Sequence, residues 1–534
     1  MTLVRWRRGV QLSALLFFVV LFVLARYPYT GALPSDLFLR ISPLLPLFSL
    51  LDNLSLLWDY WPALIILLLT PFVGRFFCGW LCPLGTTLDA AGHILKAPDN
   101  RGPDRWRRLR PVKFAVLIGA LLLALFAINI WGFLDPISLL NRVFTAVIYP
   151  IGTLAVEGVL LGLSNLPIIG DPAYTVYDWF KILLMPEDQA FVQQGMGVAV
   201  FFGIIVGLEK VTKRFWCRYI CPAGAWLGLL AQFRLFERVV GDNCTDCSIC
   251  SQGCKMDAIS DENARTTNKV ECIECFACAE NCPPKWNAIT YQWTQRPQHS
   301  AIDYSRRHFL QTGLGSFAAL GLMRIGLHNT NNTATLIRPP GSLPEPEFLE
   351  KCIHCLECVR ICQSNGRALQ PDGIRNSLLE LWAPVSVMRM GYCEYNCNLC
   401  GQVCPTEAIL PLTLALKQKT PMGLAHFDKD LCIPYAKLED CLVCEELCPT
   451  PDKAIKFESK TTLLPDGTSK QVKYPYVVEK LCIGCGICET KCPIPGRAAI
   501  FVTIEGQMRP TPDELPADAL TILPVSEPGT KMTA

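Results

Sequence analysis

The feature that most constrains this chain of 534 residues is the spacing of its 28 cysteines. Most of them stand in groups of four, with two or three residues between neighbours, and their total is a multiple of four. Disulfide scaffolds are small secreted domains with more dispersed cysteines, so disulfides explain this pattern poorly. Four thiolates in a C-x2-C-x2-C-x3-C run suit a [4Fe–4S] cubane, and the sequence therefore predicts a chain folded around iron–sulfur clusters.

The first two groups follow one another within residues 239–295 and match the bacterial two-cluster ferredoxin pattern. In that pattern three cysteines bind one cubane and the fourth cysteine binds the other. Structural zinc is the alternative, but zinc sites use two C-x2-C pairs rather than a triplet with a distant fourth ligand. We therefore predict an α+β ferredoxin-like domain with two ligand sets, namely Cys244, Cys247, Cys250 and Cys282, and Cys272, Cys275, Cys278 and Cys254.

A second cysteine-rich block at 345–505 predicts four further [4Fe–4S] clusters in two ferredoxin-like units, which brings the expected total to six. The spacing alone does not reveal which groups exchange their fourth ligand. The four groups are Cys352, Cys355, Cys358 and Cys362; Cys393, Cys397, Cys400 and Cys404; Cys432, Cys441, Cys444 and Cys448; and Cys482, Cys485, Cys488 and Cys492.

Four apolar runs precede these blocks and predict an α-helical membrane domain over residues 1–238. Several of them approach the ~20 residues that a helix needs to cross a bilayer. The first run resembles a signal peptide, but no clear small-x-small cleavage site follows it, so we expect an uncleaved helix. The runs cover residues 9–25, 61–77, 114–134 and 191–208.

Cationic residues indicate the orientation of this domain. They collect at the N-terminus, at 96–113 and at 210–218, whereas the loops between these regions hold few of them. The positive-inside rule therefore places the N-terminus and the two-cluster domain in the cytoplasm. The apolar segment 143–163 contains Glu157, and as a fifth span it would invert everything after it. We expect this segment to form a re-entrant or interfacial helix pair on the outer side.

Two short segments at the cytoplasmic ends of predicted spans repeat one another. Residues 75–85 and 214–224 share the pattern R-F-[FW]-C-x3-C-P-x-G. Two cysteines cannot complete a cubane, but Cys78, Cys82, Cys217 and Cys221 together can. If the repeats face each other across a pseudo-twofold axis, they predict a seventh cluster. Pairs of redox-active or structural thiols are the alternative.

Residues 305–310 have the sequence Ser-Arg-Arg-His-Phe-Leu and resemble a twin-arginine export signal. That route exports folded proteins, which suits a domain that receives its clusters in the cytoplasm. We therefore predict a membrane anchor at 303–328, a periplasmic four-cluster domain, and an extended tail at 506–534. A soluble linker, with every domain in the cytoplasm, is the alternative.

Composition and missing motifs exclude several functions. A net charge of +2 argues against nucleic-acid binding, and the sequence has no C-x-x-C-H haem motif or glycine-rich nucleotide motif. A membrane electron carrier needs a lipid-soluble partner, so we expect quinol as substrate and the quinone pool as partner. Quinol oxidation releases protons, and the candidate acceptors are Asp135, Glu157 and His93, although Asp135 also suits a helix cap.

The membrane half, residues 1–295, resembles the NapH/MauN-type membrane ferredoxins, which are related to the NosR and FixG groups. The shared features are the two C-x3-C-P motifs, the Gly-Phe-Leu-Asp-Pro stretch at 132–136 and the two-cluster domain. Residues 303–505 are similar to NapG/MauM-type periplasmic ferredoxins, with their twin-arginine start and four cysteine groups. These are usually separate proteins, so the chain resembles a fusion of both types, and segment 143–163 departs from the family pattern.

This resemblance implies a quinol dehydrogenase component, multi-pass in the lipid of the bacterial inner membrane. Electrons would pass from quinol to a periplasmic acceptor, either an oxidoreductase or a c-type cytochrome. The alternative is an accessory electron donor for the maturation of a periplasmic metalloenzyme. Resemblance to four-cluster electron-transfer subunits further implies that the first C-terminal group exchanges ligands with the fourth, and the second with the third.

Overall fold

The computed structural model describes ten stretches of the chain and six further residues between 307 and 315. Most of the twin-arginine-like segment, most of the predicted anchor, and the tail after residue 515 lie outside the described residues. The stretches are residues 3–27, 33–52, 60–98, 109–165, 170–184, 191–260, 263–294, 336–373, 378–463 and 468–515.

Up to residue 231 the described chain is mainly helical. The helices are α1 (Leu3–Leu24), α2 (Leu37–Arg40), α3 (Leu45–Asp52), α4 (Trp61–Val73), α5 (Phe76–Trp80), α6 (Pro83–Ile94), α7 (Val112–Ala124), α8 (Trp131–Leu134), α9 (Pro136–Val143), α10 (Tyr149–Ser164), α11 (Gly170–Leu184), α12 (Gly195–Gly207), α13 (Phe215–Tyr219) and α14 (Pro222–Ala231). A π-helical turn, Phe144–Ile148, joins α9 to α10. Proline begins α6, α9 and α14 because its ring presets the helical φ and it has no N–H to leave unpaired.

The cysteine-rich remainder consists of short helices and two-stranded antiparallel sheets. The elements are β1 (Phe236–Val240), α15 (Ile249–Gln252), α16 (Ala277–Asn281), β2 (Ile289–Trp293), α17 (Glu345–Lys351), α18 (Glu357–Cys362), β3 (Leu369–Pro371), β4 (Pro384–Ser386), α19 (Leu399–Gln402), α20 (Leu414–Lys417), β5 (Leu424–Phe427), α21 (Ile433–Ala436), α22 (Val443–Glu446), β6 (Ile455–Leu463), β7 (Ser469–Val477), α23 (Ile487–Thr490) and β8 (Ile500–Thr503). The sheets pair β1 with β2, β3 with β4, β5 with β8 and β6 with β7. Two-stranded sheets are marginal in water by themselves, so these regions need further cross-links or ligands to be stable.

The chain divides into two compact units. Unit 1 contains the two C-x3-C-P repeats and the two-cluster block, while unit 2 contains the four-cluster block and two segments from the first half of the chain. Unit 1 consists of residues 1–23, 33–144 and 195–325, and unit 2 consists of residues 24–32, 145–194 and 326–534.

Two helical segments of the described chain are long and apolar enough to cross a membrane, namely α1 and the continuous helix Pro136–Ser164. The first predicted span, residues 9–25, coincides with α1 up to Leu24. The second predicted span is interrupted, because α4 contains Pro71 and is followed by Gly74, which has a φ of +90°. The third breaks after Ala124 and resumes as α8. A multi-pass topology therefore stays a prediction.

A buried polar contact connects the helices of unit 1. Asp135 precedes α9 and accepts a hydrogen bond from the backbone N–H of Ser138 at 2.8 Å, which is the N-cap arrangement. The hydroxyl of Ser42 donates to the other carboxylate oxygen. Phe48 stacks on Trp131 with ring centroids 4.5 Å apart. The helix cap that the sequence allowed for Asp135 is thus present.

Segment 143–163 lies in the helix Pro136–Ser164, and α11 packs against α10. The hydroxyl of Tyr177 donates to Glu157 Oε1 at 3.2 Å across this helix pair. Large apolar side chains of both helices are exposed, among them Leu154, Val159 and Trp179. The pair therefore presents an apolar surface in which Glu157 is half-buried.

The core of unit 2 is shared by strands and cysteine loops. Its buried side chains include Ile455 from β6 and Val502 from β8, packed with Cys444 and Cys488. Gly486 has a φ of +79°, and a Cβ at this position would lie 2.3 Å from Met388 Sδ. Glycine is therefore required at this point, for its backbone conformation and for its lack of a side chain.

Candidate iron–sulfur centres

Four of the six ferredoxin-type cysteine groups share one backbone conformation. In each, the residue before the second cysteine and the residue after it have positive φ. Non-glycine residues in this conformation cost about 1–3 kcal/mol each, and they persist where function requires them. Turns of this kind direct backbone N–H groups into a concavity that suits an anion, as in many iron–sulfur sites. The residues are Asp246, Ser248, Glu274, Phe276, His354, Leu356, Gly484 and Gly486.

The first predicted ligand set surrounds a cavity in unit 1. Cys244, Cys247, Cys250 and Cys282 all line this cavity, whose volume is about 360 Å³. Arg238 Nη2 donates to Cys250 Sγ at 3.4 Å. The structure thus brings together three cysteines of one group and the last cysteine of the next, as the two-cluster pattern predicts.

The second predicted ligand set also converges in unit 1. Burial raises the pKa of the Cys254 thiol, and the charge of Cys275 raises it further. The pKa of Cys278 is raised to about 12, chiefly by burial and then by neighbours that include Cys275 and Cys254. These thiols therefore lie close enough to act on one another. Buried sulfurs with such pKa values carry negative charge only where cations compensate it, as iron does.

Two cavities of about 350 Å³ in unit 2 contradict the expected exchange between C-terminal groups. Each is lined by three cysteines of one group and the last cysteine of the other, and Cys488 reaches both cavities. The third group therefore exchanges its last cysteine with the fourth group, not with the second. The sets are Cys482, Cys485 and Cys488 with Cys448, and Cys432, Cys441 and Cys444 with Cys492.

The first and second C-terminal groups exchange in the same way. The pKa of Cys358 is raised well above its ordinary value by burial, then by its own group and by Cys404. The pKa of Cys362 is raised to about 12, chiefly by burial and then, among other neighbours, by Cys393 and Cys397. The last cysteine of each group thus lies among the first three of the other.

Antiparallel strand pairs explain why neighbouring groups pair. The strands β3 and β4 lie between the first and second groups, and β6 and β7 lie between the third and fourth. An antiparallel pair turns the chain back on itself, so the later group returns to the side of the earlier one. The exchange of first with fourth and second with third, expected from resemblance, is therefore wrong.

The two C-x3-C-P repeats meet in unit 1. Cys82 and Cys221 have nearly equal φ, ψ values of −64°, 114° and −61°, 114°, directly before the prolines that begin α6 and α14. Burial raises the pKa of Cys221 well above its ordinary value, and Cys217, Cys78 and Cys82 raise it further. All four thiols therefore act on one another, as a shared cluster requires.

Two buried arginines, one from each repeat, flank these thiols. Arg75 is 0% exposed and Arg214 is 1% exposed. Arg214 Nη1 donates to the carbonyl oxygen of Cys78 at 2.9 Å, and a Cβ on Gly85 would lie 3.4 Å from Arg214 Nη2. Equivalently, a Cβ on Gly224 would lie 2.8 Å from Arg75 Nη2. Each arginine thus reaches the C-P-x-G turn of the other repeat, where glycine leaves space for it.

The second cysteine loop of the two-cluster block packs on the first repeat. A Cβ on Gly79, next to Cys78, would lie 2.1 Å from the carbonyl oxygen of Ile273. Trp80 Nε1 donates to the carbonyl oxygen of Glu274 at 3.0 Å. Ile273 and Glu274 belong to the C-x2-C-x2-C loop of the second ligand set. The thiols of the repeats and those of this ligand set therefore belong to touching segments.

Buried ion pairs anchor this loop. Lys113 Nζ lies 2.5 Å from both carboxylate oxygens of Glu271, and Arg75 Nη1 lies 3.5 Å from Oε2 of the same residue. Arg234 forms a second buried pair with Glu274. Removing one partner of such a pair costs about 3–5 kcal/mol, because it leaves a buried charge without compensation.

These all-cysteine donor sets fit [4Fe–4S] clusters. The lining of each cavity described above includes four cysteines in the three-plus-one arrangement that two-cluster ferredoxins use. Within the described stretches, no three or more His, Cys, Asp or Glu side chains close around a single metal ion. A cubane needs a wider cage than one ion, because its own irons and sulfides stand between the thiolates.

Comparisons with known proteins agree with this chemistry. A family model described as "4Fe-4S binding domain" matches residues 61–99 and 194–240, which contain the two C-x3-C-P repeats. The ferredoxin-type protein MauM of Methylorubrum extorquens is 32% identical to this chain over 189 residues, covering 34% of this chain and 81% of MauM. The chain belongs to the family of ferredoxin-type proteins that includes MauM and NapG.

Two further relatives are ferredoxin-type proteins of the NapH/MauN type. MauN of Methylorubrum extorquens is 28% identical over 196 residues, which cover 36% of this chain and 51% of MauN. NapH of Haemophilus influenzae is 23% identical over 316 residues, covering 55% of this chain and 90% of NapH. No solved structure matches the chain. The predicted relationship to both the NapH/MauN and NapG/MauM types is thus confirmed, and it indicates an iron–sulfur protein of electron transfer.

The structure gives different settings to the three predicted proton acceptors. Asp135 caps α9, and His93 is exposed in the last turn of α6. Glu157 belongs to unit 2, where it is the one charged residue of α10 and accepts a hydrogen bond from Tyr177. Of the three, Glu157 alone places a carboxylate on an apolar surface.

Sequence reasoning missed the two arginines beside the repeat thiols. The signal was available, because Arg75 and Arg214 occupy the first position of both aligned repeats. Their role depends on which repeat each guanidinium reaches, and that is visible only when the repeats are folded together.

A double-mutant test addresses the shared site of the two repeats. Cys78→Ala, Cys217→Ala and the double variant should each lose about four iron atoms per chain, because both thiols hold the same cubane. Iron and protein are measured on the purified full-length chain. Cys78→Ala combined with Cys244→Ala serves as the control and should lose about eight iron atoms. Unchanged iron in Cys78→Ala contradicts a seventh cluster.

The exchange between the third and fourth C-terminal groups can also be tested by measuring the iron content of variants. Cys448→Ala and Cys485→Ala line one cavity, so the double variant should lose no more iron than either single variant, about four atoms. Cys448→Ala with Cys397→Ala should show additive losses, because these thiols belong to different clusters. If the iron losses are additive for Cys448 with Cys485 but shared for Cys448 with Cys397, the third group exchanges its last cysteine with the second group instead.

Proposed function

We propose that this chain oxidises quinol in the bacterial inner membrane and passes the electrons through [4Fe–4S] clusters to a periplasmic oxidoreductase or cytochrome c. The observation that carries this proposal is a contact inside unit 2. The Arg360 guanidinium lies 4.1 Å from the ring centroid of Tyr149. Arg360 stands between Cys358 and Cys362 in α18, and Tyr149 begins α10, which carries Glu157. An apolar helix and a cluster loop thus belong to one compact unit.

Other contacts within unit 2 support a periplasmic position of the four-cluster block. The backbone N–H of Gln193 donates to Gln370 Oε1 at 3.0 Å, and Gln370 Nε2 donates to the carbonyl oxygen of Phe191 at 3.3 Å. The backbone N–H of Tyr27 donates to Ser364 Oγ at 2.8 Å. The partners of Gln370 and Ser364 lie in or beside segments that the positive-inside rule assigns to the outer side. In this proposal the twin-arginine-like segment delivers the block to that side.

Unit 1 supplies a second group of clusters in this proposal. Cys78, Cys82, Cys217 and Cys221 hold one cubane beside the two of the ferredoxin block. Packing of Ile273 on Gly79 supports direct exchange of electrons between this cubane and the second ferredoxin cluster. The cationic segments around these residues support a cytoplasmic position for this group.

Glu157 is the residue that we propose as proton acceptor for quinol. Carboxylates within apolar membrane segments are rare and mark functional sites. Glu157 lies eight residues after Tyr149, which corresponds to ~12 Å along an α-helix. Tyr177 donates a hydrogen bond that orients the carboxylate. The cysteines of the four-cluster block would hold cubanes that supply one-electron acceptors for quinol. Glu157 takes up one of the two protons that quinol releases, and the other proton passes to water on the outer side.

Replacing this carboxylate tests the assignment. Glu157→Gln should lower the turnover of menadiol about 10²–10⁴-fold, because a positioned base contributes about that much. Iron content should stay at the wild-type value. Asp178→Asn removes an exposed carboxylate from the facing helix α11 and should leave turnover unchanged. Equal turnover in wild type and Glu157→Gln would remove Glu157 from the mechanism.

The overall function is tested with the full-length protein in vesicles. Menadiol should support sustained reduction of cytochrome c on the periplasmic side, and the rate should vanish in a variant that lacks Cys358. If the protein takes up electrons only once, while deletion leaves respiration intact and yields a periplasmic enzyme without its cofactor, the accessory role in maturation replaces the proposed one.

A further inference from the structure

We infer that Arg75 sets the reduction potential of the cluster held by the four repeat thiols, an inference that rests on that proposed cluster. Arg75 is fully buried, and no oxygen or nitrogen acceptor of the described residues forms a hydrogen bond with its Nε or Nη2 atom. Its Nη1 donates to the carbonyl oxygen of Val270 at 2.7 Å. Its Nη2 lies against Gly224, whose backbone N–H donates to Cys221 Sγ at 3.4 Å. The guanidinium thus reaches the turn that holds Cys221, and the charges of Cys78 and Cys221 both act on it.

The equivalent arginine of the second repeat has a different charge balance. Asp89 binds Arg214 through both oxygens, with Nε–Oδ1 at 2.8 Å and Nη2–Oδ2 at 2.9 Å. Asp89 is also 3.0 Å from Lys255 Nζ. Arg214 is thus held in direct two-point contact by a carboxylate, which Arg75 is not.

The carboxylate near Arg75 is occupied by another cation. Glu271 contacts Lys113 Nζ at 2.5 Å through both oxygens and is 3.5 Å from Arg75 Nη1. Lys113 therefore takes most of the charge of Glu271. Arg75 is left as the buried cation whose charge remains for the thiolates and their cubane.

The charge of Arg75 affects the reduction potential of the cluster because reduction adds one negative charge to the cubane. A fixed positive charge in a medium of low dielectric constant stabilises the reduced form more than the oxidised form. Net charge and hydrogen bonds to sulfur are established determinants of cluster potentials. A guanidinium stays protonated at any working pH, so its effect does not depend on titration.

The test measures the midpoint potential of this cluster in the full-length protein. The cluster is identified as the electron paramagnetic resonance signal that Cys78→Ala lacks, and it is followed through a potentiometric titration. Arg75→Gln should retain the signal and lower the equilibrium constant for one-electron reduction at least tenfold, which is a shift of 59 mV. Arg75→Lys, which keeps the charge, should restore most of the shift.

Arg338→Gln is the matched control, because Arg338 is also fully buried but is paired with Glu345 in unit 2 at 2.6 Å. It should leave this midpoint potential unchanged. An unchanged midpoint potential in Arg75→Gln overturns the inference. Loss of the signal in either Arg75 variant also overturns it, because that result would show a structural role for Arg75. If Cys78→Ala lacks no signal, the cluster itself is refuted, and this outcome is distinct because it does not involve Arg75.

Discussion

Burial of negatively charged sulfur is the constraint on which this molecule depends. A buried thiol favours its neutral form, yet an iron–sulfur cluster is held by thiolates, so each site must surround its sulfurs with positive charge and N–H donors. In the cysteine loops the backbone performs this task, and residues such as Glu274 and Leu356 accept a left-handed conformation as a result. The Arg238 side chain contributes as well, because it brings positive charge and an N–H donor to the sulfur of Cys250.

Cysteine spacing predicts the local part of this arrangement well. The exchange of Cys254 and Cys282 between adjacent groups follows from a known pattern, and the structure brings both cysteines to the expected neighbours. Exchange among the four C-terminal groups cannot be predicted in this way, because similar spacing makes each group compatible with any other. The deciding elements are the strand pairs that turn the chain back, and a hairpin is not visible in the spacing of cysteines.

In the membrane region, by contrast, the sequence does not predict even the local structure completely. Apolar runs predict where helices occur, but not where they break, and Pro71 and Gly74 end α4 well short of a bilayer span. Likewise the sequence indicated a helix pair around 143–163 without identifying α11 as the second member. The contact between Glu157 and Tyr177 depends on that second helix. A carboxylate that looks isolated in the sequence therefore has a partner 20 residues further along the chain.

The two C-x3-C-P repeats are alike in backbone and unlike in surroundings, and the difference comes from the ferredoxin block. Its cysteine loop lies on Gly79 in the first repeat, whereas Lys255, next to Cys254, approaches Asp89. Asp89 binds Arg214 through both oxygens, whereas Glu271 lies closer to Lys113 than to Arg75, so Arg75 has the weaker contact with a carboxylate. A symmetric pair of motifs thus becomes an asymmetric site, in which the first repeat carries both the contact to the next cluster loop and the arginine that is less closely paired with a carboxylate.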